Sequence, residues 1–145
     1  MQIFIKILLT TVIFLFLLTN CAPSTEPASA DIMYFLLIDR FVDGNPENNA
    51  GNNPNSYLAY DGTNSEALKH YQGGDLLGVT QSLDSLKALG ISMIWISPFI
   101  DNSNTDYVGW WPYHGYHPID FYEVDEHFGT LEDLKALVEA AHLRG

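Results

Sequence analysis

In the run Asp43-Gly44-Asn45-Pro46-Glu47-Asn48-Asn49, the short oxygen-bearing side chains of Asp43, Asn45, Asn48 and Asn49 fall close together. Gly44 and Pro46 bend the backbone between them, so the oxygens can converge. Hard oxygen donors on a flexible loop suit Ca²⁺, which accepts roughly six to eight such ligands. The loop is not an EF-hand. Counted from Asp43, Pro54 stands where the bidentate Glu belongs and Asn48 where Gly belongs. A solvated Asn-rich turn is the plain alternative. The second constellation is Trp110-Trp111-Pro112-Tyr113-His114-Gly115-Tyr116-His117-Pro118-Ile119-Asp120-Phe121-Tyr122. Its rings offer a flat apolar platform for a sugar, and His or Asp can bond the hydroxyls left exposed. The alternative is a loop whose rings fill a satellite core.

Regular elements must carry these two loops. Residues 32–41 are largely apolar and end in Asp39-Arg40-Phe41, a pattern suited to a strand buried on both faces. Residues 42–72 are rich in Asn, Gly, Pro and Asp and read as one long loop. Leu76, Val79, Leu83, Leu86 and Leu89 recur at helical spacing, and Gly90 closes the helix. Residues 91–98 predict a second buried strand with Pro98 at its exit. Residues 99–129 read as a loop. Thr130 and Asp133 then open a helix with a capping-box pattern, and Leu131, Leu134, Leu137, Val138 and Ala141 form its stripe. Strand, helix, strand, helix is the order of parallel β/α architecture.

The chain has 145 residues, a formal net charge of -12 and only six Lys and Arg. That balance excludes nucleic acid as a partner, because phosphate recognition needs clustered basic groups. Neutral ligands and metal cations fit it better. The first residues carry a separate message. Lys6 precedes an apolar run over residues 7–18, broken only by Thr10 and Thr11, the pattern of a signal-peptide core. Cys21 follows and is the only cysteine, so no disulfide can form within the chain. Leu18-Thr19-Asn20-Cys21 resembles a bacterial lipobox, although Asn20 stands where Gly or Ala is usual. The expected organisation is a lipoprotein-type signal over residues 1–20, with Cys21 the lipidated first residue of a tether over 21–30. A folded part then occupies 31–145. Ordinary secretion and an uncleaved anchor are the alternatives. On the lipoprotein reading the membrane is reached only through a lipid anchor at Cys21, in the periplasm or at the cell surface, and otherwise the protein is expected to be secreted.

A resemblance adds to these readings. Residues 38–49, from Ile38-Asp39-Arg40-Phe41-Val42 through the Asn-rich run, are similar to the loop after the first barrel strand in cyclodextrin glucanotransferases and related alpha-amylases. Gly73-Gly74-Asp75-Leu76 resembles that family's next block. Gly115-Tyr116, Asp120-Phe121-Tyr122 and Phe128-Gly129-Thr130 resemble the block after its second strand. The resemblance implies the first two β/α units of a (β/α)8 TIM barrel, which needs roughly 250 residues and is therefore incomplete here. It implies Ca²⁺ held by Asp43, Asn45, Asn48, Asn49, the Gly73 carbonyl and Asp75. It also implies that Tyr116 stacks on the sugar beside the scissile bond, that His114 contacts it, and that His117 lies nearby. Asp120 is then a structural carboxylate, and Phe121 and Tyr122 serve packing.

The implied reaction is hydrolysis of α-1,4-glucosidic bonds in starch-like glucans, by a retaining pair of carboxylates about 5 Å apart. The family's Asp nucleophile, Glu acid/base and stabilising Asp lie on later strands and have no counterpart here, so no catalytic residue is assigned. Asp39, Asp101, Asp106, Glu123, Asp125 and Glu126 read as structural or solvated groups. A chain ending before the third strand is expected neither to fold stably alone nor to cleave starch. A transglycosylase of the same family and a non-catalytic glycan-binding surface lipoprotein are the rival readings.

Overall fold

The computed structural model describes residues 30–145. The expected signal segment, Cys21 and the tether apart from Ala30 lie outside the described residues. Strand β1 (Met33–Leu36) pairs in parallel with β2 (Met93–Ile96), Met33 opposite Met93 and Leu36 opposite Ile96. Helix α1 (Leu76–Ala88) joins them, and helix α2 (Leu131–His142) packs against α1. This is the expected β/α order. The sheet is two strands wide, and the described residues form part of an α/β barrel rather than a closed one.

Both helices begin where their caps dictate. The Asp75 carboxylate accepts from the Gly78 N–H at 2.6 Å, satisfying an amide that the first turn leaves unpaired. Leu76, Val79, Leu83 and Leu86 then fall on one buried stripe. At α2, Thr130 Oγ1 accepts from the Asp133 N–H at 3.2 Å and the Asp133 carboxylate accepts from the Thr130 N–H at 2.9 Å, a complete capping box. Leu36, Ile38, Tyr71, Leu76, Val79, Leu83, Trp111, Phe128 and Leu137 make one core. Both loops contribute to it, Tyr71 from one and Trp111 and Phe128 from the other.

Three expectations need correction. The first strand stops at Leu36, because Leu37 and Ile38 carbonyls accept from Arg40 and Phe41 N–H groups and wind residues Ile38–Arg40 into a tight turn. Neither strand is buried on both faces: Met33, Phe35, Met93 and Trp95 stay exposed, since two strands leave a sheet face without neighbours. Along β2 and α2 this opening leaves an apolar groove lined by Met93, Ile94, Ile96, Leu134 and Val138. The third correction concerns residues 99–129, which contain strands β3 (Ile100–Asn102) and β4 (Pro118–Val124), paired antiparallel with an irregular register. Phe121 and Tyr122 lie on β4 and are exposed, at 69% and 93%, so within the described residues neither serves the core. The alternating sequence Pro118-Ile119-Asp120-Phe121-Tyr122-Glu123-Val124 was the available strand signal.

Candidate glucan and metal site

The long loop before α1 folds back so that its two ends meet. The Asp75 carboxylate, fully buried, accepts from Asn45 N–H at 2.7 Å and from Gly44 N–H at 3.2 Å while capping α1. Asn49 donates its side-chain amide to Asp43 at 2.8 Å. Gly73 sits at φ +91° with the Asn49 side chain against its Cα, so a Cβ there would collide with it. The structure thus brings Asp43, Asn45, Asn48, Asn49, Gly73 and Asp75 into one neighbourhood. Asn48 Oδ1 and Asn49 Oδ1 are buried there without a hydrogen-bond partner. Buried polar oxygens are normally satisfied, and two orphans in the stretch that also holds Asp43 are donors that a hard cation would satisfy. The residues present therefore fit calcium. Among the described residues, no group of three or more His, Cys, Asp or Glu is placed to hold a metal, so amide and carbonyl oxygens would supply most of the ligands.

Asp39 supports the same loop from beneath. It is 1% exposed and accepts from the Gln72 N–H at 2.9 Å. Burial pushes its carboxyl up to about 6, against the opposing pull of Arg40 and of the N–H groups of Gln72 and Gly73. Arg40 lies 3.1 Å from Asp39 Oδ2, but the two atoms are not aligned for a hydrogen bond. Its guanidinium instead donates to the Leu68 carbonyl at 2.9 Å and rests 3.8 Å over the ring of Tyr113. Arg40 therefore connects the metal loop to the foot of the aromatic loop.

The aromatic loop crosses the exit of β2. Gly115, at φ +84°, lies so close to the Pro98 carbonyl that any side chain would collide with it. That contact puts Tyr116 at the C-terminal end of the parallel strands, the face on which barrels bind ligands. Tyr116 is 58% exposed, and its N–H donates to His114 Nδ1 at 3.0 Å. The two rings stack, with centroids 5.8 Å apart and planes 29° apart. Because Nδ1 accepts, the neutral His114 ring carries its proton on Nε2, free to meet a hydroxyl. Burial and then the neighbouring His117 hold His114 below the usual histidine range, which favours that neutral form. The ring of His117 meets His114 edge-on at 5.0 Å. All three expected sugar-binding residues thus share one surface.

Trp111 and Pro112 turn inward, so this stretch is part core and part surface. Asp120 accepts from the Tyr122 N–H at 2.8 Å, a local structural role. Asp125, read from sequence as structural or solvated, is 1% exposed and joins buried Asn102, His127 and Ser56 in a hydrogen-bonded group. Sequence reasoning missed Asn102, His127 and Ser56. Asp125-x-His127 was the only signal, and it says nothing of burial.

Residues 35–145 match the alpha amylase catalytic domain. The chain belongs to the alpha-amylase family. It is 50% identical over 113 residues to a cyclomaltodextrin glucanotransferase of Klebsiella oxytoca, a match covering 77% of this chain and 16% of that protein. Among solved structures it resembles a cyclomaltodextrin glucanotransferase with a three-domain ABC distribution, at TM-score 0.69 and 40% identity over 80% of this chain and 24% of the other. It also resembles the alpha-amylase of Geobacillus thermoleovorans complexed with acarbose, at TM-score 0.57 and 40% identity over 80% of this chain and 21% of the other. The chain thus spans a sixth to a quarter of these three relatives. Its relatives are glycoside hydrolases and transglycosylases of that family, and the chain corresponds to part of their catalytic domain.

Proposed function

We propose that the whole protein hydrolyses α-1,4-glucosidic bonds in starch-like glucans, and that these residues supply one wall of its binding cleft. The exposed Tyr116 ring, aligned with His114 on the strand-exit face beside the metal loop, carries the reading. An aromatic face packs on the C–H face of a glucose ring while the His114 Nε2–H reaches a hydroxyl. Acarbose in the Geobacillus relative supports an α-glucan ligand. No residue of this chain is assigned to bond cleavage. Its groups bind, orient and exclude water, which is the positioning share of catalysis.

Calcium is proposed at Asp43, Asn45, Asn48, Asn49, the Gly73 carbonyl and Asp75. Bound there, it would pin the two ends of the long loop and offset the charge of the carboxylates, adding rigidity rather than chemistry. The leader pattern supports export and anchorage through Cys21, and a Cys21→Ala variant then appears in the soluble fraction.

Transglycosylation is the second reading, favoured by the 50% identity to the Klebsiella glucanotransferase. Product analysis on the full protein incubated with amylose separates the two. Linear oligosaccharides with new reducing ends indicate hydrolysis, and ring products without them indicate transfer. Maltotriose binding with neither product indicates a glycan-binding protein, and no binding and no product overturns the glucan reading altogether.

A further inference from the structure

We propose that Asn102 and Asp125 are positioning residues for the aromatic platform, fixing the backbone of His117 and through it the rings of Tyr116 and His114. The inference rests on the glucan reading of that platform. Tyr116 and His117 are both exposed and their rings meet only the neighbouring His114 ring, so the core does not hold them. Their backbone must. The His117 N–H donates to Asn102 Oδ1 at 2.8 Å and the His117 carbonyl accepts from the Ser103 N–H at 3.1 Å. Asn102 is 1% exposed with both polar atoms of its side chain engaged, for its Nδ2 donates to the Ile100 carbonyl at 2.7 Å. Its own N–H donates to Asp125 Oδ2 at 3.1 Å.

Asp125 is anchored in turn. Its Oδ1 accepts from the His127 N–H at 2.9 Å and from His127 Nδ1 at 2.7 Å. The His127 ring stacks on Tyr71, with centroids 3.6 Å apart and planes at 5°, and its Nε2 lies 2.8 Å from Ser56 Oγ. Ser56 Oγ donates to the Ala50 carbonyl, one residue beyond the metal loop's Asn49, at 2.9 Å. A continuous chain of hydrogen bonds, buried at its centre and partly buried at both ends, therefore runs from the oxygen-rich loop to the platform. Such a network is costly unless every member is satisfied, and when satisfied it imposes direction that apolar packing does not. Ser56, His127 and Asp125 lie in the order of a nucleophilic triad, but Ser56 is fully buried, out of a substrate's reach. The arrangement positions and does not react.

The test uses the full protein with maltotriose as probe. Asn102→Leu keeps the volume and removes the acceptor for His117. It is expected to weaken maltotriose binding about 3- to 10-fold, the range that one hydrogen bond of ordinary strength supports. The His117 amide is expected to exchange with solvent at least ~10-fold faster while amides of α1 keep their protection. Asp125→Asn keeps an acceptor for the Asn102 N–H but sets an amide donor against the His127 N–H and Nδ1, so it is expected to weaken maltotriose binding in the same direction as Asn102→Leu, and unchanged affinity in this variant removes Asp125 from the inference. Unchanged affinity with a still-protected His117 amide in Asn102→Leu overturns the inference and leaves the glucan reading standing. So does a fall in thermal midpoint with no change in affinity. If Asn102→Leu does not fold, the parent decides: a His117 amide exchanging at the unprotected rate sinks the proposal. A parent that fails to bind maltotriose removes the glucan reading and this inference together.

Discussion

The oxygen-rich loop and the aromatic loop sit side by side and solve opposite problems. In the first, the side chains converge but Asn48 Oδ1 and Asn49 Oδ1 are left without partners. In the second, Asn102 and Asp125 satisfy every backbone group they touch, and the rings of Tyr116 and His117 are left facing solvent. Under the calcium proposal the first loop is completed by its ion, whereas the hydrogen bonds of the second are already made without a ligand. Ligand binding should therefore stabilise the first loop and cost the second little in ordering.

Asp75→Ala should break the comparison most severely. It removes the cap of α1 and leaves the Gly44 and Asn45 N–H groups without their acceptor, so a loss of about 3–5 kcal/mol is expected by denaturant unfolding. An unchanged midpoint would refute the convergence. Chelating calcium comes next. With free ion at about 100 times its Kd, removal should cost about 2.7 kcal/mol. Hydrogen exchange should rise over residues 43–75 and stay flat over 112–117, and uniform loosening would erase the contrast between the loops.

Smaller effects sharpen the second loop. Tyr116→Ala should cost maltotriose binding about 1 kcal/mol, the scale of an aromatic contact, with no shift in thermal midpoint because the ring is exposed. A shift would mean that the ring belongs to the core. The smallest effect is on pH. The fold holds His114 below the usual histidine range, so its neutral ring and the bond from Tyr116 N–H are fully present above the ordinary histidine value. Both fade as pH falls through the depressed one. Maltotriose affinity should be flat from pH 8 to about 6.5 and decline below that, with His114→Gln abolishing the dependence.

Legibility followed the range of the interactions. The stripe Leu76, Val79, Leu83, Leu86 and the Thr130–Asp133 box are local, and sequence predicted both helices from them. The crowding of Asp43, Asn45, Asn48 and Asn49 in the chain was legible because it is local, whereas their meeting with Asp75 is not. Asn102 and His127 were not, since a lone Asn or His carries no mark of burial, and their partners stand 15 and 71 residues away. Strand β4 shows only its alternation in the chain, because its irregular antiparallel pairing with β3 spans a long loop and leaves no local mark.

The sequence by itself determined which side chains could bind oxygen-loving cations and sugar rings, and in what order strands and helices carry them, because those properties depend on residue type and short-range spacing. Tertiary structure alone decided that Asp75 would cap α1 and close the Asn-rich loop at once, and that Asn102 would hold His117 from beneath. Those outcomes depend on which buried polar groups meet after the chain has folded back, and water is excluded from those meetings only once the core exists.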